Sequence, residues 1–411
     1  MAGFLILLGL SLLFLIFLAA ESISFTKKIK RISLRITVSG TRGKSSIVRT
    51  LASVFRAHGI KVLAKTTGSE AIYILPDGTL EPIKRRGLTT ILEQKMLIAK
   101  AVKLEAECVI TEIMSIHPDN HKVETHKLIR PGLTLFSNFR ADHTDVVGES
   151  LREISELFVN DIFPGSRVII PEEEVNEFLI TGIRQLGATL IAAKPGLSDE
   201  LNLPASIYEI QIKSNLDTVV ATARYLGIPD DKIIRGIINT KLDIGQIGIF
   251  GIGNGSRPAS DNRKIWFVNA FAANDPLSTR HLIEKAFETL KKGIAPEIKE
   301  EPKIIGLLSL RSDRGERSRQ WLNYLQADGK DLFSQIYVSG IHSPIFTRKL
   351  KNCDRLISKK PEQILNQIIQ STTGDIIIFG IANIHGLGEQ LLAHLNLHPR
   401  HTELLIGISN F

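Results

Sequence analysis

Nine residues, Val38 to Ser46 (VSGTRGKSS), carry the most concentrated chemistry in this 411-residue chain. Two glycines bracket a short turn, a lysine follows the second, and two serines follow the lysine. Placed between a strand and a helix, such a turn aims several backbone N–H groups and a helix N-terminus at one point, which suits an anion. Lys44 has the reach to set an ammonium on β- and γ-phosphates, and the hydroxyl of Ser45 is a ligand for a divalent cation. A purely structural turn explains the glycines but has no need of that lysine and hydroxyl. The strict phosphate-loop pattern wants glycine at position 38, where this chain has valine.

Other residues with chemical potential fall near predicted strand ends. Glu112, in TEIMSIHPDN, is either a magnesium ligand or half of a salt bridge. Asn138, Asp142, His143 and Asp145 crowd into SNFRADHTDVVG. That cluster suits a second divalent ion, while the plainer alternative is a carboxylate capping the next turn. RSDRGERSR brings together Arg311, Asp313, Arg314, Glu316 and Arg317, and PIKRRG supplies Lys84, Arg85 and Arg86. Each basic run is either a solvated charged turn or a set of guanidinium forks for carboxylates, with Arg314 and Arg317 the best placed in the first run.

Positioning these groups requires an alternation of short apolar runs and amphipathic ones. LRITVSG reads as a buried strand. SSIVRTLASVFRAHG reads as a helix with Ile47, Leu51, Val54 and Phe55 on one side and Gly59 just past its end. Strands are expected at KVLAKT, AECVITEI, LTLFSNF, SRVIIP and TLIAAK, with helices at SLREISELFVNDI and VNEFLITGIRQLG. This is the signature of βαβ units on a parallel sheet, which carries its sites at the carboxyl ends of strands. The glycine-rich stretch KLDIGQIGIFGIGNGSRPASDNRK reads as a domain boundary. Beyond it a second, smaller α/β domain is expected, with strands near IWFVNAFAAN, KIIGLLSLRS, QIYVSG and DIIIFGIANIHG.

The first twenty residues carry no charge, and Ala2 to Ala20 would reach about 28 Å as a helix, close to a hydrocarbon core. A membrane span is favoured over a cleaved signal, because no basic region precedes the apolar run. Lys27, Lys28, Lys30, Arg31 and Arg35 follow it, so the positive-inside bias places the following domain in the cytoplasm. The net charge of +8 is spread along the chain and interrupted by acidic clusters such as Glu172 to Glu174, which argues against a nucleic-acid partner. Cys108 and Cys353, far apart, make neither a disulfide framework nor a metal pattern, and a reducing compartment is the simplest reading. The expected layout is a transmembrane anchor at 1–22, a basic linker at 23–35, a phosphate-loop domain at 36–242 and a C-terminal α/β domain at 243–411.

VSGTRGKSS, Glu112 and NFRADHTD together resemble the phosphate loop, acidic strand end and Asp-His motif of the Mur ligase and folylpolyglutamate synthetase superfamily. Valine at position 38 is expected there, because that superfamily uses a Gly-Thr-x-Gly-Lys-Ser/Thr loop. The closer resemblance is to the ligase subunit of poly-γ-glutamate synthases, of the CapB or PgsB type. It rests on SGTRGKSS, KTTGSEA, PIKRRG, EQK, HPDN, FVNAFAANDPLST, SLRSDRGERSRQW and FGIANIHG, spread from residue 38 to 388.

The resemblance implies an ATP- and Mg²⁺-dependent amide ligase. Gly40, Thr41, Arg42, Gly43, Lys44, Ser45 and Ser46 would cradle ATP, and Ser45 and Glu112 would hold a first Mg²⁺. His143 would hold a second, making Lys44, Glu112 and His143 the catalytic set. Asn215 would open an adenine-site helix, and Asn269, Asn274 and Asp275 lie in a block similar to a C-terminal motif that closes on ATP. Lys84, Arg85, Arg86, Arg314 and Arg317 would meet substrate carboxylates. Glutamate, poly-γ-glutamate, the membrane and small membrane subunits are the implied partners. The alternatives are a Mur-type ligase for another acidic substrate, or a nucleotide-dependent scaffold for polymer export. The chain departs from the pattern twice: VVGESLREISELFVNDI lacks the lysine that many Mur ligases carry after the Asp-His motif, and Gly248 stands where the synthases have arginine.

Overall fold

The computed structural model describes residues 2–68, 71–85, 89–115, 117–139, 150–204, 207–208, 211–241, 248–253, 263–271, 276–289, 302–358, 360–397 and 401–404. The chain divides into two compact units. One comprises residues 1–203 and 213–241; the other comprises 204–212 and 242–411.

In the first unit, helix α1 (Ala2–Lys30) leads into strand β1 (Leu34–Ser39) and helix α2 (Lys44–Ala57). There follow β2 (Val62–Thr66), β3 (Ile72–Ile74), β4 (Leu80–Pro82), α3 (Glu93–Lys103) and β5 (Cys108–Glu112). Helix α4 (Pro118–Val123) continues as a π-helical turn to Ile129 and precedes β6 (Leu133–Phe136). Then come α5 (Leu151–Val159), β7 (Arg167–Pro171), α6 (Glu177–Gln185), β8 (Thr189–Ala193), α7 (Lys213–Tyr225) and α8 (Asp230–Ile238). The strands form one sheet in the order β4-β3-β2-β5-β1-β6-β7-β8, parallel from β2 to β8.

Strand β1 lies between β5 and β6, with Val38 opposite Glu112 and Leu135. Burial on both faces explains its β-branched run Ile36, Thr37 and Val38. Helix α2 packs Ile47, Val48, Leu51, Val54 and Phe55 into the core. It meets α8 so closely that a methyl group on Gly236 would stand 2.3 Å from the Val54 Cα. Helix α5 starts at a capping box, Ser150 and Glu153 satisfying each other's backbone N–H groups.

The second unit contains β9 (Ile249–Ile252), β10 (Ile265–Asn269), α9 (Pro276–Thr289), β11 (Lys303–Ser309), α10 (Gly315–Gln326) and β12 (Gln335–Ser339). It continues with α11 (Ser343–Lys349), β13 (Cys353–Arg355), α12 (Pro361–Gln370), β14 (Ile376–Ile381), α13 (Glu389–Leu397) and β15 (His401–Leu404). Its sheet runs β13-β12-β11-β14-β10-β9-β15, with β9 alone reversed and antiparallel to both β10 and β15. Apolar clusters cover both faces, one around Trp321 and Phe346 and the other around Ile364 and Leu391.

Three features differ from the sequence expectations. The basic segment is no separate linker: α1 runs unbroken through Lys27, Lys28 and Lys30, and Arg35 already belongs to β1. The glycine-rich boundary contains β9, which pairs with β10 and β15. The parallel sheet of the first unit also carries an antiparallel extension, β3 and β4, joined by a turn at Gly78 (φ 87°) in which Asp77 Oδ1 accepts from the Thr79 N–H.

Candidate active site

The phosphate loop bridges the end of β1 and the start of α2 at the carboxyl edge of the first sheet. Gly40 (φ 107°) and Gly43 (φ 88°) both have left-handed backbones, which side chains disfavour. A Cβ on Gly40 would fall 2.5 Å from Ser137 Oγ, and one on Gly43 would fall 2.4 Å from Asn215 Nδ2. Asn138 fastens the loop from beyond β6: its carbonyl accepts from Thr41 N (2.9 Å), its Oδ1 from Arg42 N (3.3 Å), and its Nδ2 donates to the Arg42 carbonyl (3.0 Å). Lys44 Nζ donates to the carbonyls of Gly40 (2.6 Å) and Thr41 (3.1 Å), which keeps its ammonium over the loop.

Glu112, at the end of β5, is buried. Its Oε2 accepts from Thr67 Oγ1 at 3.0 Å, while its Oε1 has no hydrogen-bond partner. A methyl group on Gly68 would come 2.8 Å from Ser45 Oγ and 3.9 Å from Glu112 Oε2, so serine and carboxylate flank the same glycine. Asn215, in the first turn of α7, is 2 % exposed, and neither end of its amide has a partner. An unsatisfied buried amide and an unsatisfied buried carboxylate oxygen are costly without a ligand. Both lie beside the phosphate loop, so these residues fit a nucleotide and a divalent cation.

A buried polar layer supports these groups. Gln94, on α3, donates to the Glu112 carbonyl (3.1 Å) and to Glu124 Oε1, while its Oε1 accepts from Thr111 Oγ1 (3.1 Å). Burial raises the Glu124 carboxyl above its ordinary value, against hydrogen bonds from Ser115, Gln94 and the Met114 N–H. Glu93 takes Arg85 in a two-point contact (2.7 and 3.2 Å) and Lys65 at 3.3 Å. Burial alone would raise the Glu93 carboxyl, but Arg85 and Lys65 outweigh it and hold it below its ordinary value. Asp161 joins the end of β1 to helix α4, accepting from Ser39 Oγ on one oxygen and pairing with His121 Nδ1 at 2.8 Å on the other. Burial disfavours a charge on His121, yet the Asp161 carboxylate prevails and raises its pKa above the ordinary imidazole value.

Of the residues singled out in the sequence, Gly40 through Ser46, Glu112 and Asn215 converge on this edge. Lys84 is exposed beyond β4, and Arg85 is engaged by Glu93. His143, Asn274, Asp275 and Arg86 lie outside the described residues, as do Asp142 and Asp145. In the second unit, Asn269 is buried at the end of β10, and the backbone carbonyl of Gly248 accepts its N–H. Arg314 is exposed at the start of α10. Arg317 Nη1 donates to the Ala382 carbonyl (3.2 Å) and to Asn383 Oδ1 (3.0 Å). Arg311 closes on Asp313. Among the described residues, no group of three or more His, Cys, Asp or Glu side chains forms a metal cluster. Sequence reasoning assigns no role to Thr67, Gln94, His121, Glu124 or Asp161, although Thr67 and Gln94 fall within KTTGSEA and EQK, two of the blocks that carry the resemblance.

Residues 38–190 match the family of Mur ligase middle domains, and residues 256–398 match the C-terminal domain of poly-γ-glutamate synthase CapB. With the fold, this pair of domains defines an ATP-dependent amide ligase whose middle domain matches that of the Mur ligases. Within that class the chain has the architecture of the CapB poly-γ-glutamate synthases, a Mur middle domain followed by the CapB C-terminal domain. It is similar to the capsule biosynthesis protein CapB of Bacillus anthracis, at 29% identity over 94% of this chain and 82% of that protein. It is also similar to the PGA synthase CapB of Bacillus subtilis, at 27% identity over 90% and 92%. Its fold is shared by the bifunctional folylpolyglutamate synthase/dihydrofolate synthase of Yersinia pestis solved with AMPPNP and Mn ion, with a TM-score of 0.61, 14% identity and 92% of each chain covered.

Proposed function

We propose that this chain joins glutamate residues into poly-γ-glutamate through an acyl-phosphate intermediate. The observation that carries the reading is the convergence of Lys44, the unpartnered Glu112 oxygen and the unpartnered Asn215 amide on one phosphate loop. The two CapB relatives support the choice of product, and a folylpolyglutamate synthase solved with Mn, AMPPNP and L-glutamate supports the reactant set.

In this reading the loop N–H groups and Lys44 bind the ATP polyphosphate and offset the charge that develops as the γ-phosphoryl group passes to a substrate γ-carboxylate. ADP leaves, the amine of a second glutamate attacks the acyl phosphate, and inorganic phosphate is released. Ser45 and Glu112 are the residues that would hold Mg²⁺, which when bound supplies charge neutralisation at the phosphates. His143 is proposed for a second ion. Asn215 takes part in nucleotide binding, as do Asn269, Asn274 and Asp275. Lys84, Arg85, Arg86, Arg314 and Arg317 are the proposed contacts for substrate carboxylates, the arginines through their planar guanidinium forks and Lys84 as a point charge.

Helix α1, apolar and exposed from Gly3 to Ala20, is proposed to span the cell membrane with the ligase on the cytoplasmic side, beside small membrane subunits. The test is reconstitution of membranes holding the chain, supplied with ATP, Mg²⁺ and labelled glutamate. Glutamate-dependent phosphate release together with γ-linked labelled polymer is expected. Release without a γ-linked product would assign the ligase another acceptor, and no release would remove the enzyme reading.

A further inference from the structure

We infer that the nucleotide-binding edge of the first sheet faces the lipid bilayer, so that substrates reach it through the gap between the catalytic unit and the headgroup layer. The inference rests on the reading of α1 as a membrane span and adds an orientation to it.

The joint between α1 and β1 sets the direction. Arg35, the second residue of β1, turns its guanidinium back on the end of α1, donating to the carbonyls of Ile32 (2.6 Å) and Ile29 (3.3 Å), and its Nε donates to the carbonyls of Ile129 and Arg130. Ile29 and Ile32 are buried in the same cluster as Leu97, Ile98 and Ala101 of α3. This end of α1 is therefore fixed at the amino edge of the sheet, where Leu34 pairs with Cys108.

A second contact holds α1 closer to its apolar run. Glu21, the first charge after that run, pairs with Lys95 at 2.9 Å, and Lys95 Nζ also lies 5.6 Å from the Phe25 ring centroid. Lys95 is in the first turn of α3, beside Gln94, which donates to the carbonyl of Glu112. Through the adjacent residues Lys95 and Gln94, the first turn of α3 thus connects the first charged turn after the apolar segment to the main chain of Glu112 at the site. Helices α1 and α3 run side by side in the same direction, away from the site.

Lengths agree with this. From Glu21 to Lys30, α1 descends about 14 Å at its usual rise. From Leu34 to Ser39, β1 climbs back about 16 Å. The phosphate loop therefore returns to the level at which apolar residues give way to polar ones, and residues 2–20 project beyond that edge. Around the start of α3 the surface offers Lys84, the partly exposed Lys95 and Arg85, and an outward Leu92. Basic groups beside an apolar side chain are what an anionic headgroup layer favours.

The test uses the full chain in vesicles containing anionic phospholipid. A fluorophore is attached at Lys84→Cys on the site edge, at Lys103→Cys on the opposite edge, or at Ile16→Cys in the apolar helix; Cys108 and Cys353 are buried. Lipids carry a nitroxide on the headgroup or on the acyl chain. Headgroup nitroxide is expected to quench the label at position 84 much more than the label at 103, and acyl-chain nitroxide to quench the label at 16. Equal quenching at 84 and 103, or stronger quenching at 103, would overturn the orientation while quenching at 16 upheld the span. No quenching at 16 would overturn both.

Discussion

Lys44 holds its ammonium over the phosphate loop through the carbonyls of Gly40 and Thr41, where it can add a point charge to the backbone donors. Lys44→Ala is expected to lower ATP turnover by on the order of a hundredfold or more. The thermal midpoint should stay near that of the parent, and both follow from phosphate release and a melting curve on one preparation. Glu112→Gln tests the metal separately. It keeps the side-chain shape and removes the charge, so Mg²⁺ or Mn²⁺ in the presence of a non-hydrolysable nucleotide should raise the melting temperature of the parent but not of the variant. An equal rise in both would place the ion elsewhere. His121 provides a pH signature. Burial works against its charge, but Asp161, with Glu124 assisting and Lys44 opposing, raises its pKa in the fold. Its contribution to stability is then complete below the ordinary imidazole value of about 6.5 and is lost as pH rises through the higher folded value. The urea midpoint should fall across that window in the parent, and the fall should flatten in His121→Ala.

At the scale of elements, α2 and α8 approach so closely because Gly236 lets the Val54 backbone come near. Gly236→Ala forces the helices apart and should cost about 1–3 kcal/mol. A lowered urea midpoint would report this, and because α2 carries the phosphate loop at its other end, nucleotide affinity should fall with it. The same elements show what is legible in the sequence. Strands β1, β5 and β6 are readable because burial on both faces favours apolar, β-branched runs, and the loop after β1 because its glycines, lysine and serine have few other uses. The hairpin of β3 and β4 escapes a sequence reading although Pro76, Asp77 and Gly78 mark its turn, since strands of three residues show no period. Strand β9 is hidden by the glycines around it. The pairing of Asp161 with Ser39 and His121 joins residues far apart in the chain, each of which reads alone as an ordinary polar residue of a loop or strand end.

At the scale of the molecule, the position of β1 constrains how the chain is made. It precedes every other strand of its sheet in the sequence, yet it lies inside that sheet: Leu34 pairs with Cys108, and Ile36 pairs with Leu133. During translation both of its edges stay unpaired until residues far downstream have left the ribosome. Unpaired edges invite association between chains, and such long-range pairing is slow. Chains arrested before Cys108 emerges should therefore be cut readily by protease within residues 34–66, and protection should appear only once Phe136 is out; early protection would show that β1 finds another partner first. If α1 has by then entered the bilayer, each waiting strand is tethered to its own ribosome's membrane site, which limits encounters between nascent chains while the sheet is completed around it.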